Sequence, residues 1–352
     1  MVIKDHQKEP LLRDLKLGIV YLVVLSLTFG AYLIRTPMSV GITILSFFAF
    51  IFFVGIYVLQ GNPTLIKILG AEAERVPARL WQIPLGLWLI SLVYALLAAR
   101  IDLYYMIVGL LYCMLPVVFI LLLRGKDTSL QWLDVVLILF MWFPIEFGWI
   151  PGLSIPPQHG MAGVYHLIGL ALIIYFYFAV RRLPDVGFTY RLKGPDWRTA
   201  IQNFVFFMPV ALIVGFATGF IDFSQRLPSL GQMVATFVGI AFFTAIPEEI
   251  LFRGVIHNLI EKKLANKKNG TIIALTISSV IFGLAHGDNH NAPFIDIHLG
   301  PLGTWHAPWV YMILATVAGY FYGWTFIKTR KVTAAAIVHL LVDWTWGTFF
   351  GG

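Results

Sequence analysis

The chain has 352 residues, of which 59% are hydrophobic and only 12% charged, with a mean hydropathy of +0.82. Soluble globular domains carry about 25% charged residues, so this composition excludes one and fits a polytopic membrane protein. The excess of Lys and Arg (25) over Asp and Glu (18) reads as basic cytoplasmic loops, with no nucleic-acid partner.

The charged tail Met1–Lys16 precedes the first apolar run. That run ends in Leu33-Ile34-Arg35-Thr36-Pro37 without a small-residue cleavage site, so it is read as a retained first helix and not a cleaved signal peptide. Runs that cross, or nearly cross, a bilayer follow one another at 17–34, 38–59, 83–99, 103–123, 132–150, 162–180, 201–221, 231–260, 271–286, 308–327 and 332–350. The expected fold is therefore all-α, a polytopic transmembrane helix bundle of about 11 spans. The run at 132–150 contains Pro144 and Glu146 and is the weakest span. Cys113 lies inside an apolar run; a single cysteine permits no internal disulfide and no cysteine-based metal site.

With the N-terminus in the cytoplasm and the runs alternating, only Arg35, Arg100 and Arg226 among the 25 Lys and Arg fall outside. Arg253 lies in the membrane, and the rest, from Lys4 to Lys331, lie inside, as the positive-inside rule requires. The stretch Arg181–Arg198 is basic and carries Tyr190 and Trp197; it suits an interfacial segment or a solvated loop. The expected organisation is an N-terminal accessory transmembrane bundle over 1–180, a basic cytoplasmic connector over 181–200 and a functional core over 201–352.

Three polar sites interrupt the apolar runs of that core. The first is Pro247-Glu248-Glu249-Ile250-Leu251-Phe252-Arg253, inside the run from about Leu230 to Ile260. Ionisable side chains cost roughly 2.5–3.5 kcal/mol each at a bilayer centre on insertion scales, which points to function. Glu249 and Arg253 share a helix face at i, i+4 and pair in the favoured order, while Glu248 points away and stays available as a general base. The plainer reading makes Pro247 the first residue of a helix with acids in its first turn. The second site is Phe282-Gly283-Leu284-Ala285-His286, closing the run from Thr271. The third is His339-Leu340-Leu341-Val342-Asp343, where Asp343 at i+4 orients the imidazole, or where the pair joins two helices. With a 1.5 Å rise, Glu248, His286, His339 and Asp343 lie ~18, ~22, ~11 and ~17 Å from the cytoplasmic edge, so all four fit one layer near mid-membrane.

Glu-Glu-x-x-x-Arg, Phe-x-x-x-His and His-x-x-x-Asp, in that order on three late helices, resemble the CAAX protease and bacteriocin-processing family of intramembrane proteases. That family includes the type II prenyl endopeptidases and the bacterial Abi proteins. The resemblance covers about residues 200–350. It implies an intramembrane endopeptidase in which Glu248 activates the attacking water with His286, Glu249 and Arg253 brace the site, and His339 and Asp343 hold the water or the tetrahedral intermediate. In the commonest eukaryotic prenyl-protease pattern the last motif ends in Asn; here it is Asp343. An ionised Asp does not donate to an oxyanion, so orienting His339 is its more physical role.

Two mechanisms fit these residues. In one, Glu248 and His286 activate water without a cofactor. In the other, His286, His339 and Glu248 bind zinc with one open position. The absence of a His-Glu-x-x-His helix favours the metal-free form. A further group, His286, Asp288, His290, Asp296, His298 and His306, is interspersed with Gly and Pro and reads as an exposed loop before a metal site. The expected partners are the bilayer and a peptide or lipidated protein substrate, and the expected location is a bacterial plasma membrane. Two other functions use the same groups: a proton- or cation-coupled transporter, and a non-catalytic membrane scaffold.

Overall fold

Inside a bilayer, apolar segments satisfy their backbone groups only as helices or closed barrels. Every expected apolar run is helical in the computed structural model, which is 74% helix with almost no sheet. The structure describes residues 5–351 except 151, 158, 225, 291 and 292, with the backbone alone at 5–7, 302 and 351. Lys4 of the N-terminal tail lies outside the described residues. Among the described residues, eight helices are long and apolar enough to cross a membrane. The runs expected at 132–150, 162–180 and 271–286 form shorter helices. The chain divides into two compact units.

The first unit runs to Pro184 and includes Phe188–Tyr190. It contains α1 (Asp5–Arg35), α2 (Val40–Gln60), α3 (Pro63–Arg75), α4 (Arg79–Leu97), α5 (Leu103–Leu123), α6 (Trp132–Glu146) and α7 (Val164–Val180). A hairpin of β1 (Ser154–Ile155) and β2 (Ala162–Gly163) precedes α7. Local chemistry sets the helix starts. Asn62 Oδ1 accepts the N–H groups of Thr64 and Leu65 ahead of Pro63, and Asp102 caps α5 through the N–H of Tyr105. Arg181, just past α7, is buried against Asp134 at the start of α6 (Nη2–Oδ2 3.0 Å) and also donates to Leu123 O at the end of α5. Three helix ends are thereby tied by one guanidinium. Glu146, in the weakest expected span, closes α6, where its Oε2 accepts the indole N–H of Trp142 at 3.0 Å.

The second unit takes Asp185–Gly187 and everything from Arg191. It contains α8 (Gly194–Thr218), α9 (Leu230–Lys263), α10 (Gly270–Leu284), α11 (Trp309–Thr329) and α12 (Val332–Phe349). Short strands β3 (Asp222–Phe223) and β6 (Phe350–Gly351) pair with each other. Helix α11 packs against α8, α10 and α12, and α12 also packs against α8 and α9. The segment 181–193 is not helical; α8 starts at Gly194, where Asp196 accepts the N–H of Lys193 and pairs with Lys331.

Of the two readings of Pro247, the structure favours the continuous run: Pro247 does not start a helix but lies inside the 34-residue α9. A proline there removes one backbone donor and crowds the preceding turn. The helix accommodates it by widening to π-type turns at Ala241–Ala245 and Ile250–His257, on either side of the Pro-Glu-Glu segment. The His- and Asp-rich stretch expected as an exposed loop contains a hairpin, β4 (Ile295–His298) with β5 (Thr304–Ala307), which sets Asp296 opposite His306.

Candidate active site

Helix α9 brings three ionisable groups to the centre of the second unit. Glu249 and Arg253 are 0% and 1% exposed and pair at 3.0 Å (Oε1–Nη1). The guanidinium also donates through Nη2 to Gly319 O of α11 at 2.9 Å, and it lies 4.5 Å from the centre of the Phe282 ring. Gly319 makes this approach possible, because a Cβ there would sit 3.2 Å from Nη2 and 3.1 Å from the Phe282 ring. Glu248 faces elsewhere. Its side chain is 32% exposed, yet its Oε2 is buried and has no hydrogen-bond partner among the described residues.

Helix α12 supplies His339, which is 3% exposed. Its Nδ1 lies 3.0 Å from Glu249 Oε1, the oxygen that also receives Arg253. Its Nε2 lies 3.2 Å from Asp343 Oδ2 and 3.8 Å from Glu248 Oε2. Glu249 therefore does more than the helical spacing predicts: it bridges the guanidinium on its own helix and the imidazole on another. His339 has a carboxylate at each nitrogen, so both N–H positions are directed.

His286, expected to close the run 271–286, sits instead in the turn just past α10, two residues beyond the observed helix end at Leu284. Its Nδ1 lies 2.8 Å from Phe282 O. A carbonyl only accepts, so Nδ1 carries the proton and Nε2 is the acceptor of the neutral ring. The next residues hold this turn in place. Trp305 of β5 donates its indole N–H to Gly287 O at 2.8 Å, and a Cβ on Gly287 would lie 2.8 Å from that ring.

His286, His339 and Asp343 line one wall of a partly open cavity. The remaining lining is almost wholly apolar, from Phe207, Met208, Ala211 and Leu212 of α8, the residues Phe220 and Ile221, and the inner stripe of α11. Of the six residues singled out in the sequence, Glu248, Glu249, Arg253, His339 and Asp343 form one connected set, and His286 joins them across the Phe282 ring and the shared cavity wall.

A zinc ion on His286, His339 and Glu248 needs a lone pair from each imidazole. His339 has carboxylates at both nitrogens, and among the described residues no group of three or more His, Cys, Asp or Glu side chains is placed to hold a metal. As arranged, the set does not fit the ion. In the loop group, His306 Nδ1 pairs with Asp296 Oδ1 at 2.7 Å and His298 Nδ1 lies 2.9 Å from Thr304 Oγ1. These side chains make cross-strand pairs on an exposed hairpin.

Helix α11 fulfils the run expected at 308–327, but its part in the site is not visible in the sequence. Its contribution is steric: the stripe Tyr311, Ala315, Ala318 and Tyr322 recurs on one helix face and lines the cavity. Tyr322 stacks on His339, with ring centres 4.7 Å apart and planes 16° apart.

Residues 230–345 match the family model described as "Type II CAAX prenyl endopeptidase Rce1-like". The matched segment is about a third of the chain, and it contains all six site residues and spans α9, α10, α11 and most of α12. No curated protein and no solved structure matches the chain. With several helices apolar enough to span and a membrane-embedded protease family, this is an integral membrane protein. The ordered motifs, the helices that carry them and the family match coincide at residues 230–345, so this segment carries a type II CAAX prenyl endopeptidase Rce1-like domain, which supports kinship with the CAAX protease and bacteriocin-processing proteins.

Proposed function

We propose that the second unit is the peptidase core and hydrolyses a peptide bond of a lipidated or otherwise membrane-associated substrate at the level of Glu248, His286 and His339. The observation that carries this reading is the buried Glu248 oxygen without a hydrogen-bond partner among the described residues, beside His339 in a set that opens on an apolar cavity. Glu248 accepts a proton from the attacking water, the water oxygen adds to the scissile carbonyl carbon, and the same proton passes to the amine as the C–N bond breaks. His286 is set by Phe282 O to offer Nε2 to that water. The Glu249–Arg253 pair braces His339, and Asp343 fixes the other side of the imidazole. Every step uses side chains of this chain, and none is routed through a metal.

An apolar cavity beside a hydrolytic group favours a substrate that presents a large apolar group, such as a prenyl chain or a hydrophobic segment. In this reading the first unit is an accessory bundle, the segment 181–200 lies on the cytoplasmic side, and the protein works in a bacterial plasma membrane. The test is cleavage of a farnesylated Cys-aliphatic-aliphatic-X peptide by purified protein in lipid. Wild type and Glu248→Gln are compared, each with and without a strong zinc chelator. Cleavage by wild type alone, unaffected by chelator, supports the reading; chelator sensitivity overturns the metal-free mechanism. Equal activity in the variant removes Glu248 from the reaction, and ion flux in liposomes without any cleavage favours a transporter.

A further inference from the structure

Helix α11 carries none of the three sequence motifs, yet its inner face meets both site histidines. Tyr311 and Tyr322 are eleven residues apart, close to three full turns, and so lie on one face. Tyr322 stacks face to face on His339, and Tyr311 meets the His286 ring at 5.1 Å with the planes at 88°. Between them Ala315 and Ala318 are small and leave the cavity open. The same helix supplies Gly319 O to Arg253.

The requirement on Tyr322 follows from the other contacts of His339. The carboxylates of Glu249 and Asp343 lie at its two nitrogens and define the axis through them. Neither stops the ring from tilting about that axis. The face of Tyr322 does, with the edge of Phe282 at 5.7 Å completing the enclosure. Tyr322 is itself 1% exposed, so its ring has no free space into which to swing.

We propose that Tyr322 is a positioning residue that sets the plane of the His339 imidazole, so that Nε2 stays between Glu248 and Asp343. The role belongs to the flat ring and not to the hydroxyl. It deepens the peptidase reading, on which its kinetic arm rests, and it also makes a claim about His339 that needs no activity.

The experiment compares wild type, Tyr322→Phe and Tyr322→Leu in lipid, with two readouts. The first is the carbethoxylation rate of His339 by diethyl pyrocarbonate, resolved by mass spectrometry, with His286 and exposed His298 as internal references. Leu is expected to raise the His339 rate at least fivefold over wild type, and Phe to leave it within twofold. The second readout is cleavage of the farnesylated peptide. Leu is expected to lower kcat about 100-fold, the cost of misplacing a reacting group by ~1 Å, with KM within threefold; Phe restores kcat to within threefold of wild type. An unchanged His339 rate in the Leu variant overturns the proposal even if no peptide is cleaved, whereas absent wild-type cleavage with the expected labelling pattern overturns only the peptidase reading. Phe as damaging as Leu, or a Leu effect confined to KM, also overturns it. A general unfolding would raise His286 labelling in parallel with His339 and would count against the proposal.

Discussion

Replacing Arg253 with Met tests whether the buried pair at the centre of the second unit is a brace. Met keeps an apolar stem of similar reach. It removes the bond to Glu249 Oε1, the bond to Gly319 O and the contact over Phe282. Glu249, 0% exposed, is then left with His339 as its remaining partner for Oε1, and Oε2 already has none. Breaking a buried pair from one side costs about 3–5 kcal/mol, because the surviving charge is stranded. Changing Glu249 to Gln in the same chain removes that charge. The double variant should therefore recover most of the loss, with a coupling of about 2–3 kcal/mol, within the range for groups sharing one network. Reversible unfolding in mixed micelles, followed by tryptophan fluorescence for wild type, both single variants and the double variant, reads this coupling. A cost below about 1 kcal/mol for Arg253→Met, or strict additivity of the two changes, would refute the brace.

Three further outcomes follow from the same geometry. Glu248→Gln should abolish cleavage, a loss of at least about 10²-fold for a general base, without lowering the unfolding midpoint, because Glu248 Oε2 has no hydrogen-bond partner among the described residues and the change removes a buried charge; a large loss of stability would show that the carboxylate is structural. Gly319→Ala should destabilise by about 1–3 kcal/mol through overpacking, since the added Cβ meets Arg253 and Phe282, whereas Gly239→Ala, a helical control with no described atom within 4 Å of the new Cβ, should stabilise by about 0.5–1 kcal/mol. Ala318→Leu fills the cavity beside Tyr322 and should lower kcat/KM for a farnesylated peptide at least tenfold more than for an analogue with a short alkyl group on the same cysteine. Equal losses on the two peptides would place the apolar group elsewhere.

Several features are legible in the sequence because they follow from local chemistry. Long apolar runs have no satisfied form in lipid except helix, so the helices appear without tertiary information. Glu249 and Arg253 pair because four residues make nearly one helical turn, and the isolated Glu248, His286, His339 and Asp343 stand out because polar groups in such runs are costly. Other features depend on neighbours brought together from distant positions. Widened turns on either side of Pro247 keep one helix continuous where the dipeptide Pro-Glu suggests a start. The short α10 ends before His286, and the Trp305 indole, reaching back from a hairpin, holds the following turn.

The assembly of the site itself belongs to the tertiary structure. That Glu249 serves His339 as well as Arg253 requires α9 and α12 to pack at one register, which no spacing within either helix encodes. Gly319, Tyr322, Ala315 and Ala318 look like ordinary residues of a membrane helix. Their meaning is steric: one lacks the Cβ that would block a guanidinium, one offers a flat face to an imidazole, and two leave a space. The helices and the identity of the charged groups follow from the chain alone, because apolar surroundings make charge conspicuous wherever it occurs. Which oxygen meets which nitrogen, and where the cavity lies, depends on packing, because shape and absence of atoms acquire significance only against a packed neighbour.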